Sequence, residues 1–389
     1  MVDADVGRAL RARSRASRVE ALGRALERLA DPGGETYARL CEEIPAATGF
    51  HPATVRAGLD LALAQFHRRG LEALVASELG PDEVWNPANA PRTTAVVTGG
   101  AIPMPTFEAL LAPLVVGSTV RVRPGSRERI GAGIFARAVA AEDAELGAAI
   151  ECVAFARDDA NAARAFFDAD AVIASGSDAT IARIRGQVPP TARFVAYGHR
   201  LSIAVVDGRA EAGLAAAVAE DVVLWDELGC LSPVALLALD DVDGWAEAVA
   251  LALERRSRAL PRGAVPLAAA AAIRHERDTA ELRAAADGRT RVFASADATV
   301  VREADARWGP TPLHRFLRVH PVDGLDGLAA ALAPVRAWLS TVGAPEPLHP
   351  ALSGFGFRRV RPGQMQAPPL DWNHDGIGTL RPLLPHRGG

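Results

Sequence analysis

Asp221-Val-Val-Leu-Trp-Asp-Glu-Leu-Gly-Cys-Leu-Ser-Pro233 leads without a break into the apolar run Val234-Ala-Leu-Leu-Ala-Leu239. Leu214, Val218, Val222 and Trp225 recur at helical spacing, which predicts a helix, and Gly229 is a natural stop for it. The run after Pro233 is short and apolar enough for a buried strand. Cys230 then falls on a turn between two packed elements. A loop residue held by rigid neighbours often carries chemistry, and a thiol is a strong nucleophile once deprotonated. Cysteine is also a small apolar side chain that is commonly buried, so the residues alone leave both roles open.

The 389-residue chain exceeds the ~250 to 300 residues at which a single core stops growing, so two domains are expected. Apolar residues make up 49% of it, enough for large cores. A net charge of -4 gives no electrostatic reason to expect nucleic acid or an anionic membrane as partner. Every Lys or Arg in the chain is Arg, so neither a lysine Schiff base nor a P-loop lysine is available. Cys41, Cys152 and Cys230 lie far apart and in no metal-ligand spacing, which fits a reducing cytoplasm and no metal. The start, with Arg8, Arg11, Arg13, Arg15 and Arg18, lacks the apolar core of a signal peptide. No run approaches the ~18 apolar residues of a membrane span.

Residues 1 to 80 read as helices with no visible chemistry, an outer layer or an oligomer contact, and Trp85-Asn-Pro-Ala-Asn-Ala-Pro91 as a connecting loop. From Thr93 strands and helices alternate, the pattern of a parallel sheet covered by helices. Ala95 to Thr98, Thr119 to Arg123, Ile150 to Phe155 and Asp170 to Ala174 are the expected strands, with Cys152 expected in the core. Ser175-Gly-Ser-Asp-Ala-Thr-Ile181 is a turn of small residues opening a helix. Free N–H groups and the positive dipole end there suit a phosphate, although any capped strand-to-helix turn has the same composition. No G-x-G-x-x-G follows a strand, which disfavours an ordinary Rossmann dehydrogenase.

Gly229-Cys230-Leu231-Ser232-Pro233, after a helix ending Trp-Asp-Glu-Leu, resembles the nucleophile segment of the LuxC-type acyl-CoA reductases, a branch of the aldehyde dehydrogenase superfamily. With four further segments the resemblance spans roughly residues 85 to 385. Gly99 to Pro103 is similar to the loop that carries an oxyanion-binding Asn, here Ala101. Arg123-Pro-Gly-Ser126 resembles the segment that contacts the adenosine ribose, and Ser175-Gly176-Ser177 the turn near the pyrophosphate. Ser126 stands where an acidic residue often binds a 2′-hydroxyl, and Arg127 is next to it. The resemblance therefore implies NADPH rather than NADH, with NADH as the alternative carrier. Ala196 stands where hydrolytic members carry a water-activating Glu, which points away from hydrolysis and towards a thioester substrate. His199, in the same turn, either touches the thiol or cofactor or is an exposed loop residue.

Trp308-Gly-Pro310 resembles the aromatic-Gly-Pro element near the nicotinamide ribose, with Ala306 replacing its usual Glu. Trp372-Asn-His-Asp-Gly376 is similar to a C-terminal element of the LuxC type. There His374 beside Asp375 is either an oriented acid or base or a surface passenger of a turn capped by Asp375.

The implied fold is α/β and aldehyde dehydrogenase-like, with a parallel-sheet dinucleotide-binding domain and a smaller α/β catalytic domain. The expected layout is a helical layer over 1–84, the dinucleotide domain over 85–205, the catalytic domain with Cys230 over 206–340, and a segment 341–389 returning to the first domain. The implied activity is reduction of an acyl-CoA or acyl carrier thioester to the aldehyde through a Cys230 thioester, in a homo-oligomer. A cysteine following a helix C-terminus would have its thiol pKa raised, so activation must come from elsewhere. Two rivals stay open: a hydrolytic or semialdehyde dehydrogenase of the same fold, and a non-catalytic subunit that kept the fold.

Overall fold

The computed structural model describes residues 4–80, 89–156, 158–356 and 358–385, so residues 85–88 of the expected connecting loop lie outside the described residues. The chain divides into two units, one of residues 1–48, 59–199 and 368–389, the other of residues 49–58 and 200–367.

The first unit begins with five helices, α1 (Ala4–Ala12), α2 (Arg15–Ala30), α3 (Glu35–Thr48), α4 (Pro52–Leu63) and α5 (Arg68–Leu79), of which α4 starts in the second unit. There follow β1 (Thr93–Val97), α6 (Met104–Val116), β2 (Thr119–Arg123), α7 (Gly131–Glu142), α8 (Ala144–Ala148), β3 (Ile150–Cys152), α9 (Ala160–Phe167), β4 (Ala171–Ser175), α10 (Asp178–Arg185) and β5 (Arg193–Tyr197). The strands form a sheet in the order β3-β2-β1-β4-β5, parallel throughout. Helix α2 is tied to the unit by Arg18, which is buried and donates from Nε to Val115 O (3.2 Å) and from Nη1 to Leu10 O (3.1 Å). Cys152 is exposed rather than in the core. It closes a three-residue strand at the sheet's edge, where β2 is the only neighbouring strand.

The second unit holds β6 (Leu201–Val206), α11 (Ala212–Val223), β7 (Pro233–Ala238), α12 (Val242–Ala259), α13 (Leu267–Asp287), β8 (Arg291–Ala294), β9 (Thr299–Arg302), β10 (Phe316–Pro321), α14 (Gly324–Leu332), β11 (Leu339–Gly343) and β12 (Arg358–Val360). Its seven strands lie in the order β12-β11-β6-β7-β10-β9-β8, parallel except for the β8–β9 pair. One core, with Ile203, Val205, Leu237, Leu328, Leu332 and Val342, fills the space between the sheet and α14.

Several boundaries differ from the sequence expectation. Because β6 pairs with β7 and β11, the second unit starts at residue 200, not 206. Because β11 and β12 complete its sheet, the chain returns to the first unit at 368, not 341. The N-terminal helices α1, α2, α3 and α5 belong to the first unit. Helix α11 ends at Val223, well before Gly229, because Trp225, Asp226 and Glu227 take left-handed backbone with φ of 55°, 51° and 61°. Cys230 is thus removed from the helix C-terminus, whose dipole acts only over the last turn. Among the described residues no helix is long and apolar enough to cross a membrane, and no cluster of His, Cys, Asp or Glu could hold a metal.

Candidate active site

Cys230 lies on the turn that enters the central strand β7, half-buried, at the amino-terminal edge of the seven-stranded sheet. The turn's own bond runs from Ser232 N–H to Gly229 O (3.0 Å). Three other segments hold it. The buried Ser202 hydroxyl, at the start of β6, donates to Cys230 O (2.7 Å) and accepts Thr341 N–H from β11 (3.1 Å). Gln366 Nε2 donates to Ser232 Oγ (2.9 Å) and to Asp221 O (3.1 Å). Asp221 on α11 accepts Gly363 N–H (2.5 Å) and Met365 N–H (3.0 Å), while Arg358 binds Met365 O (2.8 Å) and Gln364 O (2.7 Å).

Burial governs the charges in this frame. It pushes the Asp221 carboxyl up to about 7, against the two backbone N–H donors and the Arg358 charge, and pulls Arg358 down to about 10. Glu227 is held well above the usual carboxylate range by burial, although its Oε2 accepts Phe316 N–H (2.6 Å). Trp225 packs edge-on against Phe50, ring centres 5.5 Å apart. A Cβ on Gly58 would stand 2.4 Å from the Trp225 indole, so only glycine fits under it.

The six candidate cofactor residues lie at the carboxyl ends of β2 and β4 in the first unit. The strand order reverses between β1 and β4, and open parallel sheets bind ligands in the crevice at such a point. Ser175 Oγ accepts Gly99 N–H (3.0 Å), Gly176 has a φ of 155°, and Ser177 caps α10 by accepting Thr180 N–H (3.3 Å). A Cβ on Gly99 would lie 2.8 Å from Ser175 O, and one on Gly125 would lie 3.0 Å from Thr98 O. The loops after β1, β2 and β4 therefore pack backbone against backbone at this edge. Asp178, in the first turn of α10, is turned to His199 N–H (2.8 Å).

Arg123 lies over the Phe155 ring (4.7 Å to its centre) and donates to Phe155 O (3.4 Å). Ser126 and Arg127 are exposed on the following loop. The acidic residue of that loop, Glu128, is buried and caps α7 by accepting Ile130 N–H (2.9 Å) and Gly131 N–H (2.5 Å). The one carboxylate of the described residues 124–130 is thus turned inward to α7.

His374 is packed, not a surface passenger. Its ring centre lies 5.3 Å from that of Tyr197 and 4.9 Å from that of Trp372, and Nε2 is 3.6 Å from Asp375 Oδ2. Burial raises the Tyr197 phenol, with the charges of Glu108, Glu78 and Asp375 adding to it, and burial alone pushes Glu108 up to about 7. His199 is exposed. Trp308 is fixed in the second unit by a bond from Nε1 to Ala331 O (2.7 Å).

Sequence reasoning missed the frame around Cys230. Ser202 looks like an interruption of the apolar run Leu201 to Val206, and Gln366 like a loop residue. The available signal was that a polar side chain inside a buried strand needs a partner.

A five-stranded sheet reversing at β1 and β4, joined to a second parallel sheet whose central strand is entered by a cysteine turn, defines an aldehyde dehydrogenase fold. Solved structures agree. An NADP-dependent glyceraldehyde-3-phosphate dehydrogenase from Bacillus halodurans C-125, complexed with NADP, superposes with a TM-score of 0.69 at 12% identity, covering 93% of this chain and 80% of that one. A NAD-dependent benzaldehyde dehydrogenase from Corynebacterium glutamicum gives 0.68 at 14%, covering 92% and 83%. A NAD-dependent aldehyde dehydrogenase from Sinorhizobium meliloti gives 0.64 at 15%, covering 92% and 79%. The sequence model of the family described as Acyl-CoA reductase (LuxC) matches residues 16–385, and the chain belongs to that family of oxidoreductases. Among proteins of curated function, none matches it by sequence.

Proposed function

We propose that the protein reduces an acyl thioester, of CoA or of an acyl carrier, to the aldehyde, with Cys230 as nucleophile and NADPH as reductant. The observation that carries this reading is the half-buried thiol on a turn held by Ser202 at the Cys230 carbonyl and by Gln366 at the Ser232 hydroxyl, in a chain of the acyl-CoA reductase family. The Cys230 thiolate adds to the thioester carbonyl, the bond from that carbon to the departing sulfur breaks, and the released thiolate takes up a proton. The acyl group is then held on Cys230 Sγ. When bound, the dinucleotide supplies a hydride to that carbon. The C–Sγ bond then breaks, aldehyde leaves and the Cys230 thiolate is restored.

The reversal of strand order between β1 and β4 supports dinucleotide binding at the carboxyl edge of that sheet, with Ser175, Gly176 and Ser177 at the phosphates and Arg123, Ser126 and Arg127 towards the adenosine end. NADPH is favoured over NADH because Glu128 is turned inward while Arg127 stays exposed. Ala196, on β5, supplies no base for water, which favours exchange between thioesters over hydrolysis.

The test is to incubate the protein with acyl-CoAs of graded length and NADPH. The expected result is one aldehyde and one free thiol per NADPH consumed. Failure with every acyl-CoA and acyl carrier thioester, or full turnover by Cys230→Ala, would overturn the reading.

A further inference from the structure

We infer that Ser202 and Gln366 are positioning residues that set the attack geometry of Cys230; this rests on the assignment of Cys230 as nucleophile. Ser202 is fully buried, and its one hydroxyl proton is committed to Cys230 O (2.7 Å) while Thr341 N–H occupies a lone pair (3.1 Å). The hydroxyl rotor is therefore locked, and β6 and β11 act together on the main chain of the nucleophile itself. Two residues further along, Gln366 donates to Ser232 Oγ, and also to Asp221 O. The turn is thus gripped at residue 230 and at residue 232, with the thiol-bearing Cα at one of the two anchors.

The grip is rigid because Gln366 is itself held. Asp221 fixes its loop at Gly363 and Met365, Arg358 fixes it at Gln364 and Met365, and Met365 packs so close to Gly343 that a Cβ there would lie 2.5 Å from its sulfur. The β6–β11 ladder is interrupted between Leu339 and Val342 and the β6–β7 register shifts after Ser202, so the Ser202 hydroxyl takes the Thr341 N–H where the ladders are irregular, while Gln366 lies on a loop outside the sheet. A polar frame converging on one turn is what a nucleophile needs, because a misplacement of about 1 Å can cost on the order of 10²-fold in rate.

Ser202→Ala leaves Cys230 O and Thr341 N–H without their partner, and Gln366→Met removes both amide donors at nearly constant length. Each variant is expected to lower kcat about 10- to 100-fold with KM for acyl-CoA held within about 3-fold, because orientation is lost and ground-state binding is not. Alkylation of Cys230 by iodoacetamide, which needs no defined approach, should keep its pH profile. Ser202→Thr, which retains the hydroxyl, should recover most of the rate. A merely structural role would lower the melting temperature and the folded fraction without changing kcat per folded molecule. If Ser202→Ala does not fold, Gln366→Met, on a loop outside the sheet, carries the test. Wild-type kcat in the folded variants, alongside an inactive Cys230→Ala, overturns this inference alone. Turnover by Cys230→Ala overturns the nucleophile assignment and this inference with it.

Discussion

Asp226 and Arg315 face each other as a buried ion pair, Nη2 to Oδ1 2.6 Å and Nε to Oδ1 2.8 Å, each from a run of three left-handed residues. The runs are Trp225 to Glu227 and Leu313 to Arg315, and left-handed backbone costs a non-glycine residue about 1 to 2 kcal/mol. The pair ties the two strained runs to each other. Asp226 also accepts Gly263 N–H (3.0 Å), and Arg315 also donates to Ser257 Oγ (3.0 Å) and Leu260 O (2.8 Å). Arg315→Met strands a buried carboxylate and is expected to cost about 3 to 5 kcal/mol, whereas Arg315→Met combined with Asp226→Leu should recover much of the loss. Urea denaturation followed by Trp fluorescence measures both. A single-variant loss under about 1 kcal/mol, the range of exposed pairs, would contradict this account.

Cys152 is the more exposed thiol and Cys230 the half-buried one, so a non-specific reagent and a substrate should choose differently. Iodoacetamide should label Cys152 increasingly as pH rises, because burial raises its thiol pKa. Acyl-CoA without dinucleotide should instead leave its acyl group on Cys230, detected by mass spectrometry of the peptide. An acyl adduct on Cys152 or Cys41 would refute the proposed mechanism.

The strands β1, β4 and β7 were legible because each is an apolar run bounded by Gly, Pro or Ser, and β2 because Val120 and Val122 alternate with polar residues up to Pro124. Strand β10 was not, because Arg318 and His320 interrupt its pattern. Arg318 is buried there only because Glu303, Glu276 and Pro310 O meet it from elsewhere in the chain. The end of α11 was misjudged for the same reason. Trp225 continues the helical spacing, yet its backbone is set by the Asp226–Arg315 pair between residues 89 positions apart. The cysteine turn was visible as a motif, while the groups that grip it, Ser202, Thr341 and Gln366, come from three distant segments whose convergence no local pattern encodes.

Arg127 is exposed at the rim where a 2′-phosphate is expected, and Glu128 faces away from it. Arg127→Glu should weaken NADPH binding about 10- to 100-fold, since a charge-assisted hydrogen bond contributes about 1.5 to 3 kcal/mol. NADH binding should hold or improve. Fluorescence titration with each dinucleotide checks this, and equal losses for both would show that Arg127 does not distinguish them.

Asp221 predicts how stability depends on pH. Its folded pKa is raised to about 7 from an ordinary value of 3.8, so between those values the folded protein binds a proton that the unfolded chain has released. Stability therefore falls as pH rises across this window, and it is fully present only below the lower value. Glu227 acts in the same direction, so the wild-type profile alone does not isolate Asp221. Asp221→Asn does, because its side chain stays neutral at every pH. Relative to wild type the variant should gain stability steadily from about pH 4 to about pH 7 and then level off. Below pH 4 the difference reflects only the amide's mismatch with the Gly363 and Met365 N–H groups. Urea midpoints at one-unit steps of pH give the comparison. A difference that stays flat would mean that Asp221 is already ionised at pH 5, held so by those two N–H donors and Arg358. The frame beneath Cys230 would then be charged throughout the physiological range.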